Sequence, residues 1–183
     1  MNRNKAILLA VIQIALVLSI AGKYLYERKT CPRVWVRTAQ FDPNMPMRGR
    51  YLALQLSVDA CGLPQEGSNQ RQFIEGADRR FQGYREWRVK PVARKGKLLP
   101  VLATDGDRPE YTQTLTEWGQ VSCDRAVLSE SVEYFIADSA RTPFPLQPGQ
   151  ELWVEVTVPP MGPPRPIQLA TSKDGVFTPL KLD

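Results

Sequence analysis

Apolar positions fall into two patterns along the chain. From residue 6 to residue 21 the run AILLAVIQIALVLSIA carries no charge and only two polar side chains, Gln13 and Ser19. It has no polar face. Further on, apolar and polar residues alternate in short stretches. The clearest is YLALQLSVD, residues 51–59, which puts Leu52, Leu54, Leu56 and Val58 on one side and Tyr51, Ala53, Gln55 and Ser57 on the other. The first pattern predicts a helix surrounded by apolar material, and the second a half-buried strand.

Sixteen helical residues rise about 24 Å, short of a hydrocarbon core of ~30 Å, and continuation through Gly22 to Tyr26 closes the gap. The spacing therefore predicts a transmembrane anchor over residues 6–26, a cytoplasmic N-terminus over 1–5 and a stalk over 27–33. Lys23 can snorkel while Tyr24 and Tyr26 sit at the interface. A cleaved signal peptide competes with this reading, because Ser19-Ile20-Ala21 offers small residues at a suitable spacing. The apolar length and its unbroken continuation favour the anchor. Lys23, Arg28 and Lys29 nearly balance Arg3, Lys5 and the amino terminus, so orientation rests on the general preference of such anchors for N-inside. Under either reading the rest of the chain is exported.

Alternation recurs over residues 34–38, 84–93, 97–104, 132–136, 152–158, 167–171 and 176–182. In the second of these, Trp87 and Val89 lie opposite Arg88 and Lys90, and the next stretch returns as a hairpin partner across Arg94-Lys95-Gly96. Turns are expected at residues 41–46, at Asp105-Gly106-Asp107 and over residues 172–175. Residues 62–83 are polar, poorly periodic and rich in Gly, Gln and Arg. They predict a long loop with a helical turn near 70–74. The sum is an all-β fold over residues 34–183, an antiparallel β-sandwich or small barrel, preceded by one N-terminal transmembrane helix.

Composition narrows the function. The 183 residues suit one domain with a short appendage. Four units of the formal charge of +5 come from the first 29 residues, and from Thr30 onward nineteen basic residues face eighteen acidic ones. A nearly neutral domain lacks the field that phosphate backbones require, which argues against nucleic acid. Charge is nonetheless uneven: residues 79–97 hold eight basic side chains against Glu86 alone. Arg85, Arg88 and Lys90 are thus candidates for a basic surface facing an acidic partner or lipid headgroups. The competing reading is a solvated face neutralised by acidic strands nearer the C-terminus.

The chain has three cysteines, Cys31, Cys61 and Cys123, and no histidine. In an oxidising compartment one disulfide and one free thiol are expected. Cys61 with Cys123 is favoured because Cys31 lies close to the membrane. Cys31 with Cys61, or three reduced buried thiols, remain open. Absence of histidine removes Ser-His-Asp and Cys-His catalysis and every His-bearing zinc site. No phosphate-binding glycine loop and no nucleophile elbow occurs. No catalytic residue, metal ligand or cofactor is therefore expected.

Residues 42–56, DPNMPMRGRYLALQL, resemble the signature of the GDYXXLXY family of bacterial membrane-anchored proteins. Gly49, Tyr51 and Leu54 match its letters, Asp42, Pro43 and Arg48 resemble its upstream context, and Tyr134 and Phe135 its later Tyr-Phe strand. Arg50 stands where the motif has Asp, and Leu56 where it ends in Tyr, so the match points to an architectural role. The resemblance implies a membrane helix, one extracytoplasmic domain, no assigned reaction, and company with multi-spanning membrane proteins. The expectation is a non-enzymatic protein of the inner membrane whose domain engages another membrane or envelope protein. The alternative is a binding module for an envelope lipid or glycan that stacks on Trp87, Trp118 and Trp153. An enzyme using paired carboxylates or a lysine-activated serine is the least supported.

Overall fold

The apolar run folds as one helix, α1 (Arg3–Thr30), 28 residues long. Ile7, Leu8, Val11, Ile14, Val17 and Leu18 are all exposed, and none of its apolar window is buried against the rest of the chain. Its length and composition suffice to cross a bilayer, as an anchor or as a signal sequence. Ser19 donates its hydroxyl to the Leu16 carbonyl at 2.8 Å, satisfying a polar group inside the helix. These coordinates are a computed structural model, which describes residues 3–40, 51–64, 69–75, 80–119, 121–136 and 146–180.

The remaining described residues form ten strands: β1 (Arg33–Gln40), β2 (Tyr51–Val58), β3 (Asn69–Glu75), β4 (Arg80–Arg94), β5 (Lys97–Leu102), β6 (Gln113–Trp118), β7 (Ala126–Phe135), β8 (Gln150–Thr157), β9 (Arg165–Lys173) and β10 (Val176–Pro179). All belong to one antiparallel sheet in the order β10-β9-β8-β1-β2-β7-β6-β4-β3. β5 pairs with the second half of β4, on the edge whose first half pairs with β3. A single sheet has no second layer on which to bury its apolar face. It curls into a half-barrel instead, so that β5 approaches β1 and β9 approaches β7 across the concave side. Of the two architectures left open by the sequence, the fold therefore lies on the barrel side.

The core fills that curl. Leu52, Leu54, Leu56 and Val58 of β2 point inward as their alternation predicts, joined by Val34 and Val36 of β1 and by Leu152, Val154 and Val156 of β8. Trp87, Val89, Leu98, Leu115, Leu128 and Leu169 close it from the other strands. Register irregularities at Gln55/Ser57 and Glu155/Val156 bend the sheet. Pro166 sits at the second of these, where a residue without an N–H does least harm to the ladder. Two hairpin turns carry consecutive positive φ angles, Lys95 (50°) with Gly96 (74°) and Asp174 (52°) with Gly175 (80°). That is the two-residue geometry which matches strand twist. At Gly119 the backbone N–H donates to the Gly83 carbonyl at 2.8 Å, and a Cβ there would lie 2.7 Å from that oxygen.

Four expectations change. Residues 62–83 are not one long loop, since they hold β3 and the start of β4, and the stretch near 70–74 is strand paired along its whole length. Ladder pairing outweighs its weak polar periodicity. β6 escapes sequence reading because two of its three inward positions, Gln113 and Glu117, are polar. β7 is longer than expected, beginning at Ala126, because exposed Ser129, Glu130 and Ser131 obscure its alternation. Finally, there is no stalk over 27–33: α1 runs to Thr30 and β1 starts at Arg33. The turn expected at residues 41–46 lies outside the described residues.

Cys61 and Cys123 form a disulfide with Cα atoms 4.9 Å apart, leaving Cys31 free. The bond ties the turn after β2 to the turn before β7, beside an Ala60 N–H to Cys123 carbonyl bond of 2.9 Å. Leu54→Ala should cost about 2–5 kcal/mol of unfolding free energy, and loss of the disulfide by Cys61→Ala about 2–4 kcal/mol. Urea titration of the detergent-solubilised chain by tryptophan fluorescence checks both, and a loss below ~1 kcal/mol for Leu54→Ala would contradict the core assignment.

Candidate functional site

The junction of α1 with the sheet brings together residues far apart in sequence. Arg165, the first residue of β9, forms an ion pair with Glu27 and places its guanidinium 4.2 Å from the Tyr24 ring centroid. Both partners lie on the last two turns of α1. Arg33 closes the helix end, its Nη2 donating to the Arg28 carbonyl at 2.8 Å. Val158 donates its backbone N–H to Pro32 at 3.0 Å, so β1 continues directly into the sheet. A glutamate that is mostly covered, with side-chain exposure of 14%, is worth burying only with a cation in contact.

Between these elements lies a cavity of about 790 Å³ lined by Lys23, Tyr26, Glu27, Tyr111, Met161 and Arg165, among others including the free Cys31. Lys23, Tyr26, Glu27 and Thr30 follow one helical stripe. A smaller hollow of about 450 Å³ lies over β4 and β6, lined by Glu86, Arg88, Thr112 and Gln113 among others. Buried Gln113 Oε1 has no hydrogen-bond partner. Among the described residues no three His, Cys, Asp or Glu side chains gather as a metal site.

The proposed basic surface does not hold as one face. Arg85 lies on the core side with Trp87, 5.7 Å from that ring's centroid, and contacts buried Glu117 at 2.7 Å, its cross-strand neighbour. Arg88 and Lys90 lie on the opposite side, because residues two apart in a strand share a face and residues three apart do not. Arg88 Nε donates to the Thr112 hydroxyl at 2.9 Å, and Lys90 lies 3.8 Å from Asp107. Asp107 also accepts from the Thr104 N–H and hydroxyl, both at 2.9 Å. The backbone bond first, then the hydroxyl, holds its carboxyl below the ordinary aspartate range. The Ser122 hydroxyl lowers Asp124 in the same way.

The three tryptophans do not form a platform. Trp87 is buried and donates its Nε1–H to the Pro64 carbonyl at 3.0 Å. Trp118, 43% exposed, packs on Tyr84 with centroids 5.3 Å apart, and Trp153 meets Phe177 edge-on at 5.1 Å. Asp42, Pro43, Arg48 and Gly49 lie outside the described residues. The rest of the signature converges through β2–β7 pairing: Tyr51 faces Phe135 with centroids 6.2 Å apart, and Leu52 pairs with Tyr134. Leu54 is core, whereas Phe135 is 69% exposed.

Sequence reading passed over Arg165 and Glu27. The available signal was an arginine isolated in the proline-rich run VPPMGPPRP, residues 158–166, together with the only acidic residue near the helix end. No family model matches the chain, and no curated protein and no solved structure matches it.

Arg85→Ala leaves Glu117 buried without its cation and should cost about 2 kcal/mol, whereas Arg88→Gln and Lys90→Gln should each cost less than about 1 kcal/mol. Equal losses at all three positions in urea titration would refute the division between two faces. Asp107 supplies a pH test. Its folded-state pKa is depressed, so its contribution to stability is complete above the unfolded value and is lost as pH falls through the folded one. The Thr104 amide resonance should therefore stay native down to about pH 4 and shift only below it. A midpoint above that value would overturn the bond.

Proposed function

We propose that the chain is an uncleaved single-pass anchor carrying a non-enzymatic β domain, N-inside, with the domain on the extracytoplasmic face of the inner membrane. In this reading it is an accessory protein akin to the GDYXXLXY family, and its partner is another membrane protein. The observation that carries the proposal is the junction: a helix with no buried apolar face ends two residues before a folded sheet and is clamped to it by Arg165. The helix runs unbroken through Ser19-Ile20-Ala21 to Thr30, a length that suits an anchor. The Cys61–Cys123 bond suits an oxidising compartment.

With no stalk, the domain is held flush against the bilayer surface and reaches only what lies at that surface. This favours a membrane-embedded or membrane-apposed partner over one diffusing freely. Arg88 and Lys90 remain available for contact on the outer side of β4, whereas Arg85 serves the fold.

Protease added to spheroplasts should degrade residues 34–183 while alkaline carbonate leaves the chain in the membrane fraction. Insertion of a flexible Gly/Ser segment of about 12 residues after Pro32 would let the domain move up to about 20 Å from the surface. It should preserve membrane retention and reduce in vivo crosslinks to multi-spanning proteins. Crosslinks of unchanged yield would remove the flush-docking argument, and protection from external protease would reverse the orientation.

A further inference from the structure

The cavity at the junction is placed and lined for a membrane ligand. We propose that it binds the headgroup of an anionic phospholipid from the leaflet in which α1 ends, an inference that rests on the anchor reading above. Level is the first argument. The uncharged run ends at Gly22, and the helical residues lining the cavity extend from Lys23 to Thr30. That interval rises about 10 Å and brackets the end of the apolar span near Tyr26, so the cavity reaches from the outermost hydrocarbon, where Lys23 snorkels outward, into a headgroup layer of ~5–8 Å.

Charge is the second. Glu27 is taken up by Arg165, so the negative charge in the lining is already neutralised. Lys23 remains with its side chain 66% exposed and only a loose 3.8 Å approach to Glu27. Exposed Arg28, Lys29 and Arg33 flank the same end of the helix. A phosphodiester there meets the Lys23 ammonium together with the phenol hydroxyls of Tyr26 and Tyr111, which can donate to its oxygens.

The third argument is the mixed lining. Pro160 and Met161 form an apolar wall beside these polar groups, and Met161 is 60% exposed in the loop before β9. A thioether left uncovered at the membrane end of a domain suits glycerol and the first acyl carbons better than water. The volume of about 790 Å³ accepts a headgroup with its glycerol. A free soluble anion would use the cations and leave the Met161 wall idle.

The test uses the full chain extracted in detergent and exchanged into micelles with equal phosphatidylcholine and phosphatidylglycerol, with retained lipid counted by native mass spectrometry. One phosphatidylglycerol per chain should be retained in preference to phosphatidylcholine. Lys23→Gln should lower that retention about fivefold, the effect of one interfacial cation. Met161→Glu should lower it also, while Arg94→Gln on the distant β4–β5 hairpin should not. Equal retention of both lipids, or unchanged retention in both junction variants, overturns the proposal. Displacement of the lipid by millimolar inorganic phosphate would assign the pocket to free anions and overturn it as well. Carbonate extraction of the same strains separates the two readings: release of the chain from membranes defeats the anchor and the pocket together, whereas firm retention without lipid preference defeats the pocket alone.

Discussion

An apolar helix that none of the described residues covers favours apolar surroundings outside the protein, and the other features of this molecule are arranged around that preference. Leu8, Val11, Val17 and Leu18 expose more than half of their surface to whatever surrounds α1. At ~25 cal/mol per Å², moving such a surface from water into hydrocarbon is strongly favourable. After two linking residues the chain is already paired into a sheet, whose outer face at β1 carries Arg33 and Arg37 beside Trp35. For a membrane-inserted α1, the boundary between apolar and aqueous surroundings falls within residues 23–32. Glu27, Arg165 and Arg33 stand at that boundary, where ionic and apolar contacts are both available.

Within the domain, the corresponding constraint is that one sheet has to cover itself. Curling brings the aliphatic face of the central strands β1, β2 and β8 against side chains from β4, β5 and β6, so the core is made by distant ends of one ladder. The bulges supply the bend, and the Cys61–Cys123 bond ties the central strand β2 to the segment entering β7. Such a sheet keeps open edges. At β5, Pro100 faces Pro91 of β4, so neither residue can offer an N–H to the ladder, which blunts pairing there.

The same geometry sorts the charged residues into two roles. Arg85 and Glu117 face each other on the covered side and act on the fold, whereas Arg88 and Lys90 are tethered on the open side by Thr112 and Asp107. A basic run in one strand is thus two half-runs once the pleat is imposed. The acidic partners Asp107 and Glu117 both come from the segment after residue 98.

What the sequence determined by itself was whatever depends on local periodicity. The helix, the inward faces of β2 and β8, and the Lys95-Gly96 and Asp174-Gly175 turns were all legible, because each is set by spacing within a few residues. The tertiary structure decided what depends on pairing between distant segments. β3 and β6 become strands only because β4 lies between them; β6 turns Gln113 and Glu117 inward against its own pattern. The clamp of Arg165 on Glu27 was likewise out of reach of the sequence, and the pairing of Cys61 with Cys123, favoured there over Cys31 with Cys61, was decided only by the fold. Each turns on which residues meet across scores of intervening positions, and one-dimensional spacing does not contain that information.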